Sequence, residues 1–353
     1  MARWTGLEGD ACSVILVGDV NLRKVTDPNA PFAQVQEVFD EADLQFGNCE
    51  GCFSDPTVEI PYKPGWFHPH RSTVKGLAVA GFDGVGCANN VHYGADAILE
   101  SLGHLDQHGI AHTGAGEDRE AARRPVVLER KGIQFGFLAY TSVFWPVGHA
   151  AGPGQPGVAT IKGYTAYQPH PRVLEMPGAP AIVVSWPDEE ELGAMQEDVK
   201  ALRERVDVLV VSCHWGISGS PELADYQRTI GRAAIDAGAD LVIGHHPHVP
   251  QGVEVYNGRA IFYSLGNFIF GWEQMTGRRD GLLVHGVVRE KRLAKISLAP
   301  VWRNENGQPQ LVSPECAEGQ HVIRTVEELS TSLGTKLEVE NEEIVVWSKS
   351  SSG

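Results

Sequence analysis

Polar side chains able to bind a metal ion or transfer a proton follow five short apolar runs of this sequence. They are Asp19, Asn48 with Glu50, Asn89 and Asn90 with His92, His214, and the run His245-His246-Pro247-His248. In open α/β folds, sites form at the carboxyl ends of strands, so five such strand ends are expected to converge. Imidazole nitrogens with carboxylate or amide oxygens are typical ligands of Zn, Mn and Fe. The pattern predicts one shared site that holds a divalent metal.

Each of these pieces, taken alone, also has a simpler interpretation. A Gly-Asp pair after a strand is typical of a turn, and asparagines tolerate left-handed turn geometry. His214, which precedes Trp215, fits a core histidine whose hydrogen bonds are satisfied. The pair His246 and His248 around a rigid proline is harder to explain in that way. Recurrence at five strand ends favours a shared site over coincidence.

Alternating strands and helices must position these side chains. The predicted strands are Ser13–Val17, Leu44–Phe46, Phe82–Cys87, Ile133–Tyr140, Val208–Ser212, Leu241–Ile243, Ile261–Ser264, Leu282–Val288 and Ile296–Val301. The predicted helices are Val35–Asp43, Ser72–Ala80, Ala95–His108, Leu192–Val206, Tyr226–Ala237 and Val326–Leu333. This alternation predicts a layered α/β fold. The Gly- and Pro-rich segment Gly148–Pro177 is predicted to be a long loop that flanks the site as a wall or lid.

The composition excludes several classes of function. The 353 residues include 29 Lys and Arg against 45 Asp and Glu, which gives a net charge of −16. That charge argues against nucleic acid and against an anionic membrane surface as partners. No signal-peptide core and no membrane-spanning apolar run is visible, so a cytoplasmic location is expected. The six cysteines, including the pair Cys49 and Cys52, are interpreted as reduced and incidental thiols.

Several motifs carry a family resemblance over roughly residues 13–300. They are VGDVNL at Val17–Leu22, GNCEG at Gly47–Gly51, AGFDGVGCANN at Ala80–Asn90, HGIAHTGAG at His108–Gly116, KGIQFGFLAYTS at Lys131–Ser142, VSCHWG at Val211–Gly216 and the dense stretch Ala234–Phe270. On these motifs the sequence resembles the CapA family of capsule and poly-γ-glutamate biosynthesis proteins, within the calcineurin-like metallophosphoesterase superfamily. The resemblance implies a four-layer α-β-β-α sandwich. It also implies a catalytic domain over residues 1–270 and a β-rich C-terminal extension over residues 271–353, packed on the same domain.

The resemblance further implies a site for one or two divalent ions, Mn, Zn or Fe. The implied ligands are Asp19, Glu50, Asn90, His214, His246 and His248, with Asp19 or Glu50 as the bridging carboxylate. Metal in such a site lowers the pKa of a bound water and stabilises a developing oxyanion. The predicted catalytic residues are Asp19, His92, His214 and His248, with His92 as the acid that protonates the leaving group. The predicted substrate contacts are Asn89, Trp215 and Arg279.

Two departures from the superfamily pattern bear on these roles. Asn21 stands where superfamily phosphoesterases carry the histidine of Asp-x-His, which weakens one metal position. The residue after Asn90 is Val91 rather than the histidine usual in the family, and the following loop is shortened. The role of His92 as the acid therefore depends on where this loop places it.

Three functions are compatible with the sequence. The first is metal-dependent hydrolysis or transfer at a phosphoester or an amide of a peptide-like or polyglutamate-like substrate. The second is a peptide Cα-epimerase on the same fold, which uses an Asp/His acid–base pair and no metal. The third is a non-catalytic accessory protein of polymer synthesis. The expected partner is a small molecule or a peptide, and the sequence leaves the oligomeric state open.

Overall fold

The computed structural model describes residues 10–55, 65–271, 277–340 and 343–348. The strands are β1 (Cys12–Asn21), β2 (Leu44–Cys49), β3 (Gly84–Gly86), β4 (Ala111–Thr113), β5 (Ala115–Gly116), β6 (Val126–Arg130), β7 (Ile133–Thr141), β8 (Gly157–Val158), β9 (Gly163–Gln168), β10 (Ile182–Pro187), β11 (Val208–His214), β12 (Leu241–His245), β13 (Val253–Tyr256), β14 (Arg259–Phe262), β15 (Asn267–Phe270), β16 (Asp280–Arg289), β17 (Arg292–Arg303), β18 (Pro309–Leu311), β19 (Glu338–Glu340) and β20 (Glu343–Ser348). The helices are α1 (Gln36–Asp40), α2 (Val74–Ala80), α3 (Ala95–Gln107), α4 (Arg119–Ala122), α5 (Glu189–Arg203), α6 (Asp225–Ala237) and α7 (Ala317–Thr331), and a 3-10 turn at Arg71–Thr73 precedes α2.

Two large sheets organise these elements. The first has the strand order β19-β20-β17-β16-β1-β2-β3-β4, with β15 paired to β1 and β18 paired to β17. Its strands β1 to β4 run parallel, whereas β16 and β17 are antiparallel. The second sheet has the order β13-β14-β12-β11-β7-β6, and its strands β7, β11, β12 and β14 run parallel. Each sheet therefore presents several parallel strand ends at one edge, where sites of α/β folds form.

Alternating side chains build the apolar layers on both faces of each sheet. Leu16 of β1 lies in the core between the sheets, where the rings of Phe46 and Phe137 stack with centroids 4.3 Å apart. Val17, its neighbour, faces the opposite way into the core beneath α1, α2 and α3. Met195 of α5 packs with α6 on the outer face of the second sheet. The order of layers is helix, sheet, sheet, helix, which confirms the predicted four-layer sandwich.

A close backbone approach fixes the end of β1. A Cβ atom on Gly18 would lie 2.0 Å from the carbonyl oxygen of Gly266, so the position accommodates only glycine. The next residue, Asp19, donates its backbone N–H to the same carbonyl at 3.0 Å. The loop before β15 therefore holds Asp19 in place at the carboxyl end of β1.

Some predicted segments differ from the structure. Residues 148–177 do not form one continuous loop, because they include β8 and β9, and because Val158 and Ile161 are buried in the core. The helix predicted over Val35–Asp43 extends only over Gln36–Asp40, and Val35 provides no side-chain cap at its start. The last helix begins earlier than predicted, at Ala317, where the thiol of Cys316 accepts a hydrogen bond from Gly319.

The C-terminal strands continue the first sheet. Strand β16 pairs antiparallel with β1 and with β17. Strands from both sides of residue 270 thus share one sheet, and the division of the chain at that residue stays a prediction.

Two other predictions concern the state of the cysteines and the length of apolar helices. All six cysteines are free thiols, and Cys49 and Cys52 are buried in the core beneath the helices. No helix in the described part of the chain is both long and apolar enough to cross a bilayer.

Candidate metal centre

Three side chains from three elements meet at the carboxyl edge of the two sheets. One carboxylate oxygen each of Asp19 and Glu50 and one ring nitrogen of His214 all lie within 4.8 Å of one another. Asp19 lies two residues before the end of β1, Glu50 follows β2 and His214 ends β11, so both sheets contribute. All three side chains are buried, and the two carboxylates are wholly inaccessible to solvent.

Asp19 is the most connected residue of this group. Its Oδ1 accepts a hydrogen bond from Nδ2 of Asn48 at 2.8 Å and lies 3.3 Å from Nδ1 of His245. Its Oδ2 accepts the backbone N–H of His246 at 3.2 Å and lies 3.5 Å from Nδ1 of His248. Burial raises the pKa of Asp19, but His245 and His248 outweigh that effect and hold the pKa well below its usual range. Asp19 is therefore an ionised carboxylate in a buried site.

The His246-Pro247-His248 loop turns sharply to bring its imidazoles to this carboxylate. His246 and His248 have φ angles of 94° and 60°, a left-handed conformation that non-glycine residues rarely adopt. Such backbone strain clusters at functional sites. Nδ1 of His248 lies 2.9 Å from Oδ1 of Asn267, and its Nε2 lies 3.8 Å from Oε1 of Glu50. Burial lowers the pKa of His248, but the nearby carboxylates of Glu50 and Asp19 together raise it above its ordinary value.

His214 lies between two asparagine side chains. Its Nε2 is 3.0 Å from Oδ1 of Asn90, and its Nδ1 is 3.4 Å from Nδ2 of Asn48. Its ring centroid is 4.8 Å from that of His246. Burial, and next the proximity of His246, hold the pKa of His214 well below its ordinary value. The ring is therefore neutral, which is the form that ligates metals.

The donor set fits a divalent cation. Asp19, Glu50 and His214 offer carboxylate oxygens and a ring nitrogen that lie within 4.8 Å of one another. Two fully buried carboxylates near each other also create negative charge that a bound cation offsets. Carboxylate, imidazole and amide donors suit Zn, Mn and Fe alike, so the geometry does not select the metal.

His92, the predicted acid, is surrounded by other histidines than those of the centre, and its role stays a prediction. Its ring is fully buried, and its main-chain oxygen accepts a hydrogen bond from Nε2 of His149, at 3.1 Å. Burial, and next the nearby His68 and His149, lower the pKa of His92 to about 3. The ring is neutral, and both of its nitrogens lack hydrogen-bond partners in the described chain. The histidines that lower the pKa of His92 include His68 and His149, and neither His214 nor His248 is among them.

The predicted substrate contacts Asn89 and Trp215 have structural roles instead. Nδ2 of Asn89 donates to the main-chain oxygen of Cys49 at 2.8 Å, and Oδ1 accepts the backbone N–H of His92 at 2.9 Å. The indole of Trp215 is fully buried and donates to the carbonyl of Tyr263 at 2.7 Å. Both side chains help to hold the fold together, and their contact with a substrate stays a prediction. Arg279 is exposed at the start of β16, and its role remains a prediction.

Three residues at the centre are not among the predicted ligands, catalytic residues or substrate contacts. Asn48 and Asn267 hydrogen-bond Asp19 and His248, and His245 contacts Asp19. Asn48 lies inside the motif GNCEG and Asn267 inside the stretch Ala234–Phe270, so their positions were available as a signal. Asparagine, however, is common in turns, and the sequence did not separate these two from ordinary turn residues.

Comparison with known proteins identifies the family. A family model described as "Bacterial capsule synthesis protein PGA_cap" matches residues 7–272. The chain belongs to this family. The PGA biosynthesis protein CapA of Bacillus subtilis is 30% identical over 332 residues, which cover 89% of this chain and 77% of that protein. The capsule biosynthesis protein CapA of Bacillus anthracis is also 30% identical, over 69% of this chain and 53% of that protein. The CapA resemblance predicted from the sequence is confirmed.

A solved structure shares the fold of this CapA-family chain. The crystal structure of a novel phosphatase from Mycoplasma pneumoniae covers 83% of this chain and 94% of its own, with a TM-score of 0.51. The two sequences are 13% identical, so the likeness concerns the fold alone. This CapA-family protein thus shares its arrangement of sheets and helices with that structure.

Proposed function

We propose that this protein is a metal-dependent enzyme that catalyses hydrolysis or group transfer at the centre formed by Asp19, Glu50 and His214. The observation that carries the proposal is the convergence of two buried carboxylates and a neutral imidazole within 4.8 Å. Two buried carboxylates so close together are costly without a compensating cation. Clusters of perturbed titratable groups of this kind are typical of active sites.

The residues that would hold the metal are those at the edge shared by the sheets. They are Asp19, Glu50, Asn90, His214, His246 and His248. A bound divalent ion supplies a nucleophilic water at neutral pH and stabilises charge on the substrate. Asn48 and Asn267 hold Asp19 and His248 in their orientations through hydrogen bonds. Without a bound ion, the raised pKa of His248 favours a proton on this ring beside Asp19.

The names of the relatives suggest the substrate class. The Bacillus relatives are described as PGA and capsule biosynthesis proteins. We therefore propose a substrate that contains amide bonds, such as a peptide or a polyglutamate-like chain. The phosphatase fold suggests a phosphoester as the alternative class. On this proposal the protein takes part in capsule or polymer metabolism and acts on a small molecule or a peptide.

Metal analysis of paired variants tests the proposal. The combined variant His246→Ala and His248→Ala should lose the bound metal and remain folded, because a large α/β core does not depend on one ion. The matched control is His321→Ala, which removes an exposed histidine of α7. Elemental analysis of protein purified without chelator gives the metal content, and thermal unfolding confirms the fold. Equal metal content in the double variant and the control would refute the assignment.

A second candidate function is Cα-epimerisation of a peptide without metal. It is favoured by the direct contacts of Asp19 with Nδ1 of His245 and of His248, which form a carboxylate–imidazole pair before any ion is added. On this alternative, exhaustive chelation leaves turnover intact, and deuterium from heavy water appears at a substrate Cα. On the metal-dependent proposal, chelation abolishes turnover and restored metal recovers it. Absence of turnover on both peptide and phosphoester substrates would favour an accessory role in polymer synthesis.

A further inference from the structure

A β-hairpin formed by β9 and β10 exposes a group of apolar side chains. Those at least a third exposed are Tyr164, Tyr167, Ile182, Val183 and Trp186 in the strands and Val173, Leu174 and Met176 in the segment that connects them. Tyr167 and Leu174 are 73% and 97% exposed. Neighbouring exposed apolar side chains on a globular protein mark an interaction surface more often than isolated ones do. The strands pair only with each other, and a two-stranded hairpin is marginally stable alone.

The base of this hairpin is attached to the strand ends that carry the candidate metal centre. The backbone N–H of Ile161 donates to the carbonyl of Thr141, at the end of β7, at 2.9 Å. The next residue, Ser142, donates its N–H to the carbonyl of His214 at 2.9 Å. The other strand is tied at the same place, since Asp188 donates its N–H to the carbonyl of Lys162 at 2.7 Å. A chain bound along the hairpin would therefore lead toward the edge where His214 lies.

The two outer edges of the hairpin differ. On β10, the backbone N–H of Ser185 points outward to the carboxylate of Asp225 in α6, at 3.3 Å, and Pro187 has no N–H. On β9, Thr165 is paired with Ser185. Because backbone groups alternate in an antiparallel ladder, the N–H and C=O of Thr165, and those of Tyr167 two residues on, also point outward. Both residues are exposed, so β9 presents an open strand edge.

The charge of the hairpin limits what can bind there. Between Gly163 and Pro187 the acidic and basic side chains are Arg172 and Glu175, which form an ion pair with each other. The segment is thus neutral within a chain of net charge −16. A neutral, apolar strand edge on an acidic protein suits an extended and largely uncharged peptide, and the overall charge disfavours an anionic membrane.

We propose that the outer edge of β9 binds an extended apolar segment of a polypeptide substrate as a third strand. Main-chain hydrogen bonds to Thr165 and Tyr167 provide affinity, and the exposed side chains of the hairpin select alternate apolar residues of the bound segment. The adjoining part of that polypeptide then reaches the metal centre. This inference rests on the proposed function in that it assumes an amide-containing substrate, but the docking step is measurable separately from turnover.

A defined peptide probe tests the docking edge. The probe is a fluorescent peptide of alternating threonine and valine with a lysine at each end, and its partner is the same peptide N-methylated at alternate amides. Fluorescence anisotropy with the whole protein should show saturable binding of the parent peptide. Binding should be at least tenfold weaker for the N-methylated peptide, which cannot pair along a strand edge. The lysine-flanked peptide without valine should also bind more weakly, because it lacks the apolar contacts.

Protein variants complete the test. Thr165→Pro removes an outward N–H and should weaken binding of the parent peptide at least tenfold, whereas Arg172→Ala, away from the edge, should leave it unchanged. Tyr167→Lys keeps the backbone donor and places a charge on the edge, and it should also weaken binding. This second variant keeps the test decisive if Thr165→Pro disturbs the hairpin. Equal binding of the parent and N-methylated peptides, or no effect of either edge variant, would overturn the proposal.

Other occupants of the edge give distinguishable results. A dimer in sedimentation that Thr165→Pro dissociates, without binding of the peptide, would identify a second copy of the chain as the occupant and refute ours. Binding to phosphatidylcholine–phosphatidylglycerol vesicles without binding of the peptide would identify a membrane and also refute it. The metal-depleted variant His246→Ala/His248→Ala should still bind the peptide. In the parent protein supplied with metal, docking without turnover would contradict the proposed function while supporting the edge, and metal-dependent turnover without docking would do the reverse.

Discussion

Replacement of Asn48 by alanine tests whether Asn48 orients the ligands of the candidate metal centre. Nδ2 of Asn48 donates to Oδ1 of Asp19 at 2.8 Å and lies 3.4 Å from Nδ1 of His214, and all three residues are buried. A hydrogen bond to a charged group contributes about 1.5–3 kcal/mol to stability. Partners that orient metal ligands contribute about 10–100-fold to metal affinity, which corresponds to about 1.4–2.7 kcal/mol. Both estimates therefore predict an effect of the same size from one substitution.

The assay compares metal affinity and stability in matched variants. Asn48→Ala should weaken Zn or Mn binding about 10–100-fold in competition with a chelator and lower the free energy of unfolding of the apo protein by about 1.5–3 kcal/mol. The control is Asn29→Ala, since Nδ2 of Asn29 donates to Oδ1 of Asp27 at 3.0 Å in an exposed location. That variant should change stability by less than about 0.5 kcal/mol and leave metal affinity unchanged. If Asn48→Ala behaves like this control in both measurements, the orienting role of Asn48 is refuted.

Two further predictions concern the frame around the site. Burial, and next Lys295, lower the pKa of His285 to about 3. Below pH 6.5 the side chain is therefore protonated in the unfolded chain but stays neutral in the folded one. The free energy of unfolding should fall as pH falls below about 6.5, and His285 should account for about 2 kcal/mol of the loss between pH 7 and 5. Urea unfolding at the two pH values should show that His285→Gln lacks this part of the loss. An equal loss in the parent protein and the variant would contradict the prediction. Gly18→Ala should destabilise the fold by about 1–3 kcal/mol, because its Cβ would lie 2.0 Å from the Gly266 oxygen. In the matched control, Gly193→Ala, the new Cβ meets nothing within 4 Å in α5, so this variant should be neutral or stabilising, and equal effects would argue against the close approach.

The sequence predicted the layers and the edge of the sheets that holds the polar residues. Apolar runs mark the strands locally, and residues at the carboxyl ends of parallel strands meet whatever the length of chain between them. The alternation of side chains along a β-strand also predicts where Trp215 lies. His214 and Trp215 are consecutive, and consecutive side chains of a strand point to opposite faces. His214 in the centre therefore places Trp215 in the core on the other side, where the structure has it.

The environment of His92 could not be predicted because it depends on contacts between distant segments. The residues that bury it and lower its pKa include His149, which lies 57 positions along the chain. His149 belongs to the segment predicted as a loop at the site, and Nδ1 of His149 accepts the backbone N–H of Trp145 at 3.0 Å. Local patterns carry no information about such pairings. Asn48 and Asn267 were missed for the same reason, since their partners come from other strands.

Asn21 shows how the first loop compensates for a departure from the superfamily pattern. Its Nδ2 donates to the main-chain oxygen of Glu50 at 2.5 Å, and its Oδ1 accepts the backbone N–H of Arg23 at 2.9 Å. The side chain that would be a metal-ligating histidine in superfamily phosphoesterases instead fixes the loop that carries a carboxylate of the centre. Asp19 and Glu50 are thus tied together through Asn21 and through the hydrogen bond of the Glu50 N–H to the carbonyl of Val20 at 2.8 Å. On the proposed function, a structural link takes the place of one ligand of the superfamily, and Asp19, Glu50 and His214 are the group that could hold an ion.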